Sequence, residues 1–139
     1  MMGDKNMAKK VFVSYHSATE DTNHKNLLVA WSKNDNGHFD IKFDDTSVGV
    51  SINSDNATYI KSVIKGKIKE SNVFLCLIGK DTHKSDWVKW EIDKAVEMDK
   101  KIVAVKIKST YTSPDNILGI GAKWAMSFTY DSIKDQLDS

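Results

Sequence analysis

At 139 residues and 40% apolar content, the chain can build one hydrophobic core, and a single domain is expected. Twenty basic and 19 acidic residues leave a net charge of +1, which argues against a dedicated nucleic-acid surface. No apolar run approaches the roughly 20 residues that cross a bilayer, and a lone cysteine excludes an internal disulfide, so no membrane association and a reducing, cytoplasmic setting are expected.

The opening stretch, MMGDKNMAKK, is polar and runs straight into a strand-like segment, so it does not read as a signal peptide. All 20 basic residues are lysines. A phosphate would therefore be met by lysine or by backbone N–H groups rather than by a guanidinium fork. Residues 10–15 (KVFVSY) are β-branched and aromatic over strand length. A polar loop is expected over 16–23, with Ser17, Thr19 and Thr22 as candidate helix caps. Leu27, Leu28, Ala30 and Trp31 then recur at helical spacing until the turn cluster at 34–37. FDIKF (39–43) alternates as an edge strand would, and 44–56 reads as a loop rich in Asp, Ser, Asn and Gly. Ile60, Val63, Ile64 and Ile68 form the stripe of an amphipathic helix. VFLCLI (73–78) is apolar throughout, the mark of a strand covered on both faces. A short loop at 79–84 leads to a helix with Val88, Ile92, Ala95 and Val96 at helical spacing, then to a strand over 102–107. Beyond it the pattern weakens, with a short strand expected in 124–130 and a helical turn or two in 132–137.

Alternation of strand and helix with short connections predicts an α/β, flavodoxin-like three-layer sandwich. Its parallel sheet has four or five strands in the order 2-1-3-4-5, with helices on both faces. One domain is expected over 1–139, with its core at about 9–108 and a weaker strand and helix within 117–138. In such a sheet a ligand crevice lies beyond the carboxyl ends of strands 1 and 3, where the strand order reverses. The loops there are 15–22 and 79–85. Ser85 is a suitable N-cap for the helix that follows, and Asp86 suits its dipole. Four residues apart, Trp87 and Glu91 share a helix face. With Val88, Ile92 and Ala95 taken as the core stripe, that face is expected to be rotated toward the crevice. On spacing alone, Glu91 is either a solvated helix residue or a functional acid.

The remaining chemistry is sparse. His16, His24, His38 and His83 show no metal-ligand spacing, so no metal is expected. His16 and His83 would face the crevice as substrate contacts. Cys76, mid-strand, reads as a buried structural thiol. Lys61, Lys65, Lys67 and Lys69 read as the wet face of their helix. Asp44 and Asp45 could suggest a phosphate-accepting receiver, but the third strand ends in Ile78–Gly79–Lys80 with no acceptor aspartate. SYHSATED lacks the glycine of a flavin phosphate loop.

The runs VFVSYHS, VFLCLIG, SDWVKWEI with the threonine before it, and KIVAVKI together resemble TIR domains. They resemble more closely the bacterial TIR-like family that includes the sensor proteins of Thoeris antiphage defence systems. The resemblance covers about 9–108. It implies an enzyme that takes NAD as substrate, with no further cofactor, and breaks the nicotinamide–ribose bond. The essential glutamate after the third strand would be Glu91. It also implies a cyclic ADP-ribose-type product acting as a diffusible signal on a separate effector protein, and possible homo-oligomers. By the same resemblance Tyr15, His16 and Ser17 line the pocket and Thr82 and Ser85 line the approach to the helix, while Trp87 or Trp90 offers a face on which an adenine or nicotinamide ring could stack. Asp44, Asp45 and Ser47 begin the loop after strand 2. The chain lacks the arginines and the proline–glycine pair of receptor TIR domains, which speaks against receptor-style adaptor assembly. A non-catalytic interaction module and a nucleoside deoxyribosyltransferase-like enzyme remain the alternatives.

Overall fold

The apolar runs form a five-stranded, all-parallel sheet in the order β2-β1-β3-β4-β5. The computed structural model describes residues 9–34, 39–42 and 50–139. The strands are β1 (Lys9–Ser14), β2 (Phe39–Lys42), β3 (Val73–Ile78), β4 (Lys101–Lys106) and β5 (Lys123–Ala125). The helices are α1 (Thr19–Asn34), α2 (Ala57–Glu70), α3 (Asp86–Glu97) and α4 (Tyr130–Asp138). The expected order and fold class are therefore observed.

Period-two alternation sorts the strand side chains into two layers. Phe12, Phe74, Cys76, Ile78, Ile102 and Ala104 pack beneath α2 and α3, meeting Ile60, Ile64, Ile68, Val88, Ile92 and Ala95. Val11, Val13, Leu75, Leu77, Val103 and Val105 pack on the other side against Leu28 of α1 and Ile133 and Leu137 of α4. All six residues of β3 are buried, as the unbroken run VFLCLI requires.

Several boundaries differ from the sequence reading. The helix expected after the 16–23 loop starts earlier, at Thr19, and the Ala18 carbonyl accepts from the Thr22 amide at 2.9 Å. Thr22 is thus inside the helix rather than capping it. The inner stripe of α1 is Asp21, Lys25, Leu28 and Ser32, three of them polar, while Leu27 is 45% exposed. Hydrophobic spacing could not show a buried face made largely of polar groups. In α3, Val96 is 44% exposed and not part of the core. The strand expected within 124–130 is shorter and earlier (β5), and Thr129 caps α4 by accepting from the Ser132 amide at 3.2 Å.

Candidate functional site

Reversal of strand order between β1 and β3 makes their carboxyl ends the place where sheets of this kind take a ligand. Three elements converge there: the end of β1, the turn from β3 to α3, and the first turns of α1. Ser85 starts α3 by accepting from the Val88 amide at 3.2 Å. Val88, Glu91, Ile92 and Ala95 then form its buried stripe, at i, i+3, i+4 and i+7.

Glu91 is therefore not on a face rotated away from the core, as its shared spacing with Trp87 suggested. It is three residues from Val88 and four from Ala95, points at the end of the sheet, and is 5% exposed. Ser14, the last residue of β1, donates its hydroxyl hydrogen to Glu91 Oε1 at 2.6 Å. That distance is at the short end of the range for O–H···O hydrogen bonds. Ser14 pairs in register with Cys76 on β3, so the carboxylate is braced against the two strands that frame the switch point. Low solvent access leaves its field only weakly screened. The Ser14 hydroxyl, sharing a strand face with Phe12, could have been found from the alternation of KVFVSY.

Loss of that bond has a measurable expectation. Ser14→Ala should weaken the orientation of Glu91 by about 1.5–3 kcal/mol, the range for hydrogen bonds to charged groups. If Glu91 acts on the reacting sugar, kcat should fall roughly 10- to 100-fold. Steady-state turnover with purified variant checks this, and unchanged kcat would remove Ser14 from the site.

Other residues singled out from the sequence divide into three groups. Tyr15 and His16 follow Ser14 at the crevice and are half-buried, and Lys25 Nζ stands 5.4 Å from the centre of the Tyr15 ring. Ser17 is exposed beside them. His83, half-buried in the 3-10 turn Thr82–Lys84, has an enclosed Nδ1 with no hydrogen-bond partner among the described residues. A second group is occupied with structure. Thr82 is fully buried, so it supports the turn rather than lining an approach. Its Oγ1 accepts from the Gly79 amide at 2.8 Å and donates to Asp21 Oδ2 at 3.2 Å. Ser85 is committed to its cap. Trp87 is half-buried, meets Trp90 edge-on at 5.9 Å between ring centres, and donates its indole N–H to the Val50 carbonyl at 2.7 Å. It thereby ties the segment entering α2 to the helix that carries Glu91. Lys61 and Lys94 each place Nζ 5.7 Å from the Trp90 ring centre, so Lys61 is engaged rather than simply wet. The third group, Asp44, Asp45 and Ser47, lies outside the described residues.

Sequence reasoning missed the α1 side of the crevice. Glu20 Oε1 accepts from the Tyr111 hydroxyl at 3.0 Å, which ties the segment after β4 across the start of α1. Asp21 is a buried carboxylate, 2% exposed, beside Gly79. Burial pushes its carboxyl above the ordinary carboxylate value and Glu20 adds to this, while the Thr82 hydrogen bond, His16 and His24 oppose it. Cys76 is fully buried, and burial together with the charges of Glu91 and Asp21 holds its thiol protonated and inert. Among the described residues no group of three or more His, Cys, Asp or Glu side chains is placed to hold a metal ion. No helix among them is long and apolar enough to cross a membrane.

Residues 12–112 match the family model of the Thoeris protein ThsB, TIR-like domain. The chain belongs to this ThsB TIR-like family. It is 26% identical over 122 residues to a putative cyclic ADP-D-ribose synthase, ThsB1, of Bacillus cereus (strain MSX-D12). That match covers 83% of this chain and 60% of the relative, so the chain spans about three-fifths of the curated relative's length. Two solved structures share the fold of this ThsB-family chain. The Clostridium botulinum CMP N-glycosidase BcmB superposes with a TM-score of 0.61 at 17% identity, covering 94% of this chain and all (100%) of the other. A 2-deoxyribosyltransferase from Bacillus psychrosaccharolyticus superposes at 0.58 and 16% identity, covering 75% and 77%. At these identities the likeness concerns the fold alone, and one fold hosts many chemistries.

Proposed function

We propose that the chain is an NAD-consuming TIR-like enzyme that cleaves the nicotinamide–ribose bond and closes the ADP-ribose portion into a cyclic signal for a separate effector in antiphage defence. The observation that carries the reading is the buried Glu91 carboxylate, held by Ser14 at the switch-point crevice of a ThsB-family chain. The name of the Bacillus relative supports the same product class.

The chemistry fits these residue types. When the ribose C1′–nitrogen bond breaks, the electron pair leaves with nicotinamide, which departs neutral and needs no proton. Positive, oxocarbenium-like charge builds on the sugar. A carboxylate preorganised near the ribose hydroxyls stabilises that charge without reorganising at the moment of reaction. The second half forms a bond from C1′ to a nucleophile elsewhere in the same molecule, so water must be kept out. With Glu91 5% exposed, a sugar meets the carboxylate only where the surrounding residues part. Access is thereby controlled by the loops at the strand ends. Tyr15, His16 and His83, half-buried near the strand ends, are the contacts we assign to substrate.

The deciding measurement is incubation of concentrated protein with NAD, with and without lysate of infected cells, followed by chromatographic separation of products. Release of nicotinamide with a cyclic ADP-ribose species is expected. No release under either condition would sink the enzymatic reading in favour of an interaction module. Base exchange on deoxynucleosides with no action on NAD would mark a deoxyribosyltransferase.

A further inference from the structure

A second acid besides Glu91 is buried near the carboxyl ends of β1 and β3, on the α1 side. Asp21 is in the first turn of α1 and 2% exposed. Its carboxylate lies directly over Gly79, where a Cβ would sit only 2.5 Å from Asp21 Cγ. Thr82 bridges the two: its hydroxyl accepts from the Gly79 amide at 2.8 Å and donates to Asp21 Oδ2 at 3.2 Å. The turn from β3 to α3 is thus pinned at both ends. Asp21 and Thr82 hold its start, and the Ser85 cap fixes its end, four residues before the turn of helix that presents Glu91.

We propose that Asp21 is a positioning residue: through Thr82, and by its close fit over Gly79, it clamps the β3–α3 turn to α1 and so sets where the Glu91 helix begins.

The clamp needs an acceptor for Thr82 at this place and not a negative charge. The groups facing it are Glu20 and His24 of α1, His16 of the β1–α1 segment and Thr82 of the turn, and the net result is a raised carboxyl pKa. A carboxyl whose folded value is raised takes up a proton on folding. Its contribution is fully present below the unfolded-state value, and is lost as pH rises through the folded one. Above its folded value an ionised Asp21 therefore costs the fold stability, and an amide of the same shape would not.

The test uses Asp21→Ala, Asp21→Asn and Thr82→Val, with three readouts. Hydrogen exchange over residues 79–85, led by the Gly79 amide, reports the clamp itself. Asp21→Ala and Thr82→Val should each speed it at least tenfold. Asp21→Asn keeps an acceptor for Thr82, so it should exchange within about threefold of the parent and melt at the same or a higher temperature at neutral pH. The kinetic arm depends on the NAD-cleaving reading. There Asp21→Ala should lower kcat at least tenfold with KM within threefold, and Asp21→Asn should restore most of kcat. Unchanged exchange in Asp21→Ala and Thr82→Val would overturn the clamp, as would unchanged kcat in Asp21→Ala or failure of Asn to rescue. Should Asp21→Ala not fold, Thr82→Val carries both arms alone. A parent protein that never releases nicotinamide would defeat the activity and leave the exchange arm to decide the clamp.

Discussion

Glu91→Gln should abolish nicotinamide release while leaving the protein folded. The two side chains have the same shape, and the amide oxygen can still accept from Ser14, so the 2.6 Å contact between β1 and α3 survives in weaker form. What is lost is the negative charge that the proposed reaction uses to stabilise the cationic sugar. Removing a preorganised electrostatic contact of this kind slows the chemical step by on the order of 10²–10³-fold, about 3–4 kcal/mol. The loss is expected in kcat rather than in KM, because the charge matters most when the ribose becomes cationic. Stability should change by no more than about 1–2 kcal/mol, since no cavity opens and no backbone moves. Chromatography of NAD incubations and a denaturant titration of the same preparation test both halves. Nicotinamide release at the parent rate would remove Glu91 from the chemistry. Loss of release together with loss of the folded transition would reduce it to a structural acid.

Among the described glycines, Gly79 is the one where an added methyl meets another side chain, and Gly79→Ala should be strongly disruptive. The added Cβ would overlap the Asp21 carboxylate, and that group is at the end of a short, buried side chain with little room to retreat. Relief requires α1 and the β3–α3 turn to separate, or Asp21 to abandon Thr82. Overpacking of this kind costs about 1–3 kcal/mol, and a buried polar group left without its partner costs about 1–3 kcal/mol more. A destabilisation of about 2–6 kcal/mol is expected from these two terms. Removing the obstacle should reverse part of it: in a double-mutant cycle, Asp21→Ala should relieve Gly79→Ala by more than about 1 kcal/mol. Urea unfolding of the four proteins measures this directly. Additive effects would mean that the contact over Gly79 is not what makes the glycine necessary. Glycine here provides close approach rather than unusual backbone angles, unlike Gly119 and Gly121, whose φ values of +75° and +80° suit a residue without Cβ.

The legibility of the site followed the legibility of its packing. Ile60, Ile64 and Ile68 of α2 announced their buried face because apolar spacing and burial coincide there. In α1 they do not, since Asp21, Lys25 and Ser32 occupy the inner stripe, and the acids and hydroxyls of that helix passed for a polar loop and wet surface. In α3 the spacing was available but was assigned to the wrong face. Val88, Glu91, Ile92 and Ala95 are one stripe, and Val96, although apolar, is outside it. An acid on a core stripe is a stronger sign of function than an acid on a rim, because burying an unexplained charge costs several kcal/mol. Tyr111 and Glu20 could not have been paired from sequence, being 91 residues apart with no pattern linking them.

By itself the sequence determined the sheet, its strand order and the place where that order reverses. Period-two and period-3.6 burial are local properties that survive in one dimension, and right-handed parallel crossovers leave few topologies. It also singled out SDWVKWEI as the stretch bearing the acid. Only the tertiary structure decided that Glu91 faces inward onto Ser14, that Thr82 and Ser85 serve the turn, and that Asp21 stands opposite over Gly79. Those relations join residues on different elements, and the direction in which a polar side chain is buried depends on partners that spacing along one element does not encode.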